Sequence, residues 1–409
     1  MLRRFRFVRR FLALVRADPA GVRAGFGALM LSSAGDLVAG LTLGSITGTL
    51  EVFPGLLVLV PAAIGMRGNV FGALGSRLGT LIHQGDFRLS RRRDTAVGQN
   101  LTASMALSLS VALVLAVLAR IICVAFGVAK TISVLDFVVI SVVGAVISSA
   151  VVLAITVGVA SLSARRGWDL DNVAAPIVTA AGDMVTLPSL FVATYLVGHS
   201  GLTPVLGGLC VLIGVVSLVL AVRSGYPVLR RIARESFPVL VVAGVVDIVA
   251  GLTIEKRFTS FLAYPALLVL IPPFLEDSGS LGSILSARVA TKLHLGVVEP
   301  SRSIGAVAED VMLIFVYAIP VFFLLGVSAD IAAAVAHLRS PGSLEMIAVS
   351  MLAGLLATTF ASLIGYYGAV ATFRLGMDPD SHGIPIVCSS LDLLGAVSLI
   401  LVIVALGLT

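Results

Sequence analysis

Charge is scarce in this 409-residue chain: Asp, Glu, Lys and Arg together make 12% of it, about half the share in an ordinary soluble domain. That scarcity excludes a disordered chain and a soluble globule of this length. Cysteine is scarcer still. Cys123, Cys210 and Cys388 each sit inside an apolar run, where a thiol acts as a small hydrophobe, so a disulfide scaffold is excluded and the redox compartment goes unread. No His/Cys cluster exists, which argues against zinc, copper or iron; His83 and His294 read as interfacial residues near span ends. Long polar connections are also missing. The longest is the stretch around Gln84 to Gly98, too short to hide a soluble domain.

What fills the chain is hydrophobe: 58% of residues, with 41 glycines and a mean hydropathy of +1.10. A membrane span needs about 20 apolar residues. Runs bounded by charged or Pro/Gly breaks give eleven candidates: 25–50, 55–83, 98–126, 132–163, 173–198, 203–222, 237–254, 260–293, 304–328, 344–373 and 383–408. Several exceed what a hydrocarbon core of about 30 Å requires, which implies tilt or kinks. The fold class is an all-α polytopic membrane protein.

A net charge of +6 suggests at first a nucleic-acid partner, and its placement argues otherwise. Twenty of the 28 basic residues fall in segments that share one membrane side, among them Arg3 to Arg23, Arg88 to Arg93, Arg165, Arg166 and Arg223 to Arg234. Five fall in the alternate connections and three within apolar runs. This is the positive-inside pattern, which places the N-terminus in the cytoplasm; the expected location is the plasma membrane. The basic surface suits anionic lipid headgroups, so the bilayer is a partner and nucleic acid is not. Residues 1–23 read as a basic helix on the cytoplasmic face, with an apolar stretch too short for a cleaved signal.

Self-comparison reveals a duplication. D-L-V-A-G-L-T at 36–42 recurs as D-I-V-A-G-L-T at 247–253, and P-G-L-L-V-L-V-P at 54–61 as P-A-L-L-V-L-I-P at 265–272. Arg77, Thr80 and His83 recur as Arg288, Thr291 and His294, all 211 residues on. Pro176 and Asp183 recur as Pro385 and Asp392, 209 residues on. Chance alignment of leucines would not keep Asp, Pro, Arg and His in register. Each module holds five spans; the run 203–222 adds one more, which restores a parallel orientation about an axis along the membrane normal. The expected organisation is a basic interfacial helix (1–23), a first module (24–198), a linking span with a basic cytoplasmic loop (199–235) and a second module (236–409).

Four aspartates lie in or at the edge of apolar spans: Asp36, Asp183, Asp247 and Asp392. A carboxylate at the bilayer centre costs roughly 2.5–3.5 kcal/mol on insertion scales, so each needs a partner or a wet cavity. Two repeat-related pairs about an axis would form a ring of acidic oxygens, which selects cations. The segment Pro61 to Asn69 and its counterpart Pro272 to Ser280 combine proline, glycine and Asn69 or Ser280, and the second adds Glu276 and Asp277. A helix break there would expose carbonyls to a cavity, and Arg67 near Asp277 across the repeat suggests a salt bridge. All these ligands are hard oxygens, and magnesium, which keeps several waters, suits a few carboxylates in a wide polar path. Sodium and protons stay open on ligand chemistry alone, as does a monovalent cation or proton antiporter. From a different class, the Gly35–Asp36 and Gly182–Asp183 pairs raise an intramembrane aspartyl protease, which would need two acids sharing a proton.

E-V-F at Glu51 to Phe53, V-P-A-A-I-G-M-R-G-N ending at Asn69, S-R-L at Ser76 to Leu78, and D-N-V-A-A-P-I-V-T-A-A-G-D from Asp171 to Asp183 together resemble the MgtE and solute-carrier-family-41 magnesium transporters. The second half repeats the motifs in weaker form. The resemblance implies a divalent-cation transporter, not an enzyme, working as a channel or a sodium-coupled exchanger. It further implies that Asp183 and Asp392 face each other and hold one hydrated Mg2+, with Gly68–Asn69 lining the pore. Bacterial members are homodimers of five-span modules, so this chain resembles such a dimer fused into one polypeptide. No connection has room for their cytoplasmic regulatory domains, and gating by such domains is not expected.

Overall fold

The computed structural model describes residues 19–90, 92, 94–128, 130–166, 170–300, 304–377 and 382–408. Among these every regular element is helical. The first repeat holds α1 (Pro19–Ser45), the short α2 (Thr47–Val52), α3 (Leu56–His83), α4 (Ala96–Ala125), α5 (Val134–Arg166) and α6 (Leu170–Thr194). After α7 (Leu202–Val222) the order recurs as α8 (Pro227–Glu255), α9 (Phe258–Ala263), α10 (Ala266–His294), α11 (Ala308–Val335), α12 (Ser343–Leu375) and α13 (Ile384–Ala405). Among the described residues, eleven helices are long and apolar enough to cross a membrane, one for each of the eleven runs.

Three sequence expectations shift. Residues 1–18 of the expected surface helix lie outside the described residues, and Arg23 belongs to α1 itself. Arg230, Arg231 and Arg234 occupy the first turns of α8 rather than a loop, because a 29-residue helix is roughly 43 Å long and overshoots the hydrocarbon core. The runs 25–50 and 260–293 each divide, near Ile46 and at Tyr264–Pro265, into a short helix and a span.

Local chemistry sets several helix starts. Thr95 caps α4, its hydroxyl accepting from the Gly98 amide at 3.1 Å. Ser133 and Asp136 cap α5 reciprocally: the Ser133 amide donates to the carboxylate at 3.0 Å, and the Asp136 amide donates to the Ser133 hydroxyl at 3.1 Å. Such boxes satisfy donors that the first helical turn leaves free.

The two modules pack by exchange. Helix α1 lies against α10, and α8 lies against α3. Each closing helix, α6 or α13, packs on the first and third helices of its own module. Six helices (α1, α3, α6, α8, α10 and α13) therefore form the centre. The others flank them, and α7 packs on α4 and α5 with Val205, Leu212 and Leu220 exposed, as a lipid-facing helix requires.

The expected break at Pro61–Asn69 does not occur. Helix α3 runs through Pro61, and α10 runs through Pro272 and Pro273. Proline lacks an N–H and frees the carbonyl four residues earlier, here that of Leu57 below Pro61 and those of Leu268 and Val269 below Pro272 and Pro273. Instead of lining a cavity, the Leu57 and Val269 carbonyls are covered by the other module. Gly251 of α8 sits against Leu57 and Val58, and Gly40 of α1 against Val269. A Cβ built on Gly251 would lie 2.5 Å from the Val58 oxygen and 2.8 Å from that of Leu57.

Candidate cation site

A cavity of about 790 Å3 opens between the central helices. One wall is α3, through Gly65, Gly68, Asn69, Gly72, Ser76 and Thr80, residues three or four apart and so on one helical face. The facing wall is α10, through Glu276, Gly279, Ser280 and Ser283. Each of these four lies 211 residues after Gly65, Gly68, Asn69 and Gly72, so the cavity lies between equivalent faces of the two modules. Asn69 and Ser280 thus line one space, as the repeat predicts. Arg77 also reaches it, held against α4 by donating from Nε to the side-chain Oδ1 of Asn100 at 2.7 Å.

Asp392 of α13 and Glu276 line the cavity. Asp247 lies just behind, its Oδ2 3.0 Å from a Cβ built on Gly65, with Asp392 Oδ2 at 3.6 Å. Lacking a side chain, Gly65 leaves both carboxylates room. The equivalent place in the other module holds Glu276, and Asp183 is absent from the cavity wall. Asp36 and Asp183 lie side by side, both buried, with Glu276 within electrostatic range of each. Close packing of α1 on α6 brings them together: a Cβ on Gly35 would lie 2.8 Å from that of Ala180.

The acids thus form two pairs, Asp36 with Asp183 and Asp247 with Asp392, and Glu276 acts on both. Asp183 and Asp392 are within electrostatic range of each other, but each has its adjacent acid in its own module. Both carboxylate oxygens of Asp36, Asp183 and Asp247 are buried with no hydrogen-bond partner. Burying a lone carboxylate costs several kcal/mol, so six such oxygens in one region mark a place arranged for positive charge. Among the described residues no three His, Cys, Asp or Glu side chains are gathered tightly enough to hold a bare metal ion. The arrangement suits an ion that keeps its water.

Arg67 and Asp277 do not pair. Arg67 donates from Nε to Ser148 Oγ at 2.6 Å and from a guanidinium nitrogen to the Ala63 carbonyl at 2.5 Å. Asp277 accepts from Ser33 of α1, at 2.6 and 2.7 Å to its two oxygens. The repeat offset puts Ser278, not Asp277, opposite Arg67, and α10 turns Asp277 toward α1. Ser33 and Ser148 carry no sequence signal, since serines are common in these spans. Gly65 did carry one: it is the position 211 residues before Glu276.

A profile of the MgtE family, described as a divalent cation transporter, matches residues 60–193 and again 271–402. The two matches begin 211 residues apart and end 209 apart, the offsets of the internal repeat. Solute carrier family 41 member 2 of Xenopus laevis is 27% identical over 397 residues, covering 90% of this chain and 68% of the relative. Member 3 of Rattus norvegicus is 25% identical, covering 90% and 83%. Human member 2 is 27% identical, covering 91% and 68%. These are transporters, and the protease reading falls away. With the profile spanning most of both repeats, this multi-pass membrane protein belongs to the MgtE family of divalent cation transporters.

Proposed function

We propose that the chain moves Mg2+ across the plasma membrane along the cavity between α3 and α10, with the ion held through its water shell by Asp392, Asp247 and Glu276 and influenced by Asp183 and Asp36. The observation that carries this reading is the placement of Asp392 and Glu276 on the wall of a wide cavity, with the unpartnered buried carboxylates of Asp247, Asp36 and Asp183 close behind them. Magnesium dehydrates reluctantly and keeps several waters, which fits acids too dispersed to ligate a bare ion. Asn69, Ser280 and Ser283 supply further oxygens to hydrated cargo.

The cavity runs along α3 from Gly65 to Thr80, toward the connection that carries Arg88 and Arg92. By the positive-inside pattern that end is cytoplasmic, as is the N-terminus. The modules then stand parallel, a single chain doing the work of a dimer. Labelling of single cysteines checks this: Ser90→Cys is expected to react from the cytoplasmic side and Arg339→Cys from outside. Reaction of both from one side would overturn the parallel arrangement. Asp380, a further cytoplasmic expectation, lies outside the described residues.

Flux into proteoliposomes tests the cargo. Mg2+ entry is expected under a Mg2+ gradient, and a sodium gradient that accelerates it would identify sodium as a coupling ion. Protein that carries protons or sodium but no divalent ion would establish the monovalent antiporter instead.

A further inference from the structure

The two acid pairs are not equivalent, and the residue that separates them is Arg67. It is 1% exposed, on α3 beside α6: its Cβ lies 3.9 Å from a Cβ built on Gly182, the neighbour of Asp183. Two of its guanidinium donors are used, on Ser148 and Ala63. The third nitrogen, Nη2, has no hydrogen-bond partner, and neither have the two oxygens of Asp183. Asp183 is the acid whose charge acts on this guanidinium.

At the equivalent place in the second module stands Ser278. Its hydroxyl donates to the Phe274 carbonyl at 2.7 Å, and Phe274 is the counterpart of Ala63, whose carbonyl Arg67 uses. The local helix geometry is therefore satisfied either way, by an arginine in one half and a serine in the other. What Arg67 adds is a bond to Ser148 and a positive charge. Around Asp183 a fixed cation sits within the buried region; around Asp392 there is instead open cavity.

We propose that Arg67 is a tethered counter-cation for Asp183, which leaves the chain with one divalent-cation site, at Asp392, Asp247 and Glu276, although the fold holds two pairs of acids. A cation arriving at Asp183 meets a positive charge already in place. Like charges confined to one buried region repel far more strongly than in water, enough to empty a weak site. Arg67 is a positioning residue for the ion and not a ligand.

This inference rests on the cation-site reading above, and the experiment separates the two. Mg2+ binding to the purified full chain in detergent is counted by equilibrium dialysis. Wild type is expected to bind one Mg2+ per chain and Arg67→Ser two. Asp392→Asn is expected to bind none, and Asp392→Asn combined with Arg67→Ser to regain one. Serine in this helix position already folds in the second half. Arg67→Met, which keeps the stem, repeats the count should Arg67→Ser melt early. Two ions on wild type, or one on both Arg67 variants, would overturn the inference while leaving the site itself intact. No Mg2+ on wild type would instead remove the cation site.

Discussion

Asp392→Asn is expected to lower divalent-cation flux into proteoliposomes by roughly 30- to 700-fold, the largest effect of any single acid in the chain. Asp392 faces the cavity beside Glu276, so an ion in the cavity meets its charge with no other side chain between. One pair of unit charges about 4 Å apart at an effective dielectric near 20 interacts by about 4 kcal/mol. Reduced by the water left around the ion, about 2–4 kcal/mol of that is lost with the charge, and each 1.4 kcal/mol is tenfold. Asp183→Asn is expected to cost less, because Asp183 is off the cavity wall and close to Arg67. Both variants should keep their melting temperatures, since an amide keeps the carboxylate's shape and removes a charge that is costly to bury. Wild-type flux through folded Asp392→Asn protein would move the principal site elsewhere. An effect of Asp183→Asn larger than that of Asp392→Asn would reverse the order of the two pairs.

The eleven spans were legible because long apolar helices write their length directly into composition. The duplication was legible because polar residues stayed in register at a fixed offset. Asp36, Asp183, Asp247 and Asp277 proved to be buried, and Asp392 and Glu276 to line the cavity. What pairs with what was not legible. Asp183 was expected across from Asp392, and the two lie within electrostatic range; that Asp36 stands beside Asp183 follows from the packing of α6 on α1 of its own module. Helix packing of that kind depends on small residues such as Gly35 meeting Ala180, and a sequence rich in glycine and alanine offers many such meetings. The helix break was misplaced for a related reason. Proline does free a carbonyl, but the sequence does not say whether water, a cavity or another helix will cover it. Here another helix does, through Gly40 and Gly251.

Those two glycines should be among the least replaceable residues at the contact between the modules. Gly251→Ala is expected to lower the melting temperature of the purified protein and to abolish flux, with Gly40→Ala behaving alike. The added methyl of Gly251→Ala would come 2.5 Å from the Val58 oxygen. That oxygen is backbone in a long helix and cannot rotate away, so α8 must shift from α3 as a body. Overpacking of this sort costs about 1–3 kcal/mol. Function should fail before the fold does. Asp247 lies four residues before Gly251, and Asp36 four before Gly40, so each glycine shares a helical face with an acid. The close approach at Gly251 therefore sets how near Asp247 stands to Gly65 and Asp392, and a displacement of even 1 Å would open that pair. Gly208→Ala on the peripheral α7 is the control, because nothing lies within 4 Å of its added Cβ; alanine there is expected to be neutral or stabilising by up to about 1 kcal/mol. Should Gly251→Ala melt at the wild-type temperature and carry Mg2+ at the wild-type rate, the crossing of α8 on α3 does not hold the site in place, and the acids must be positioned from α13 and α6 alone.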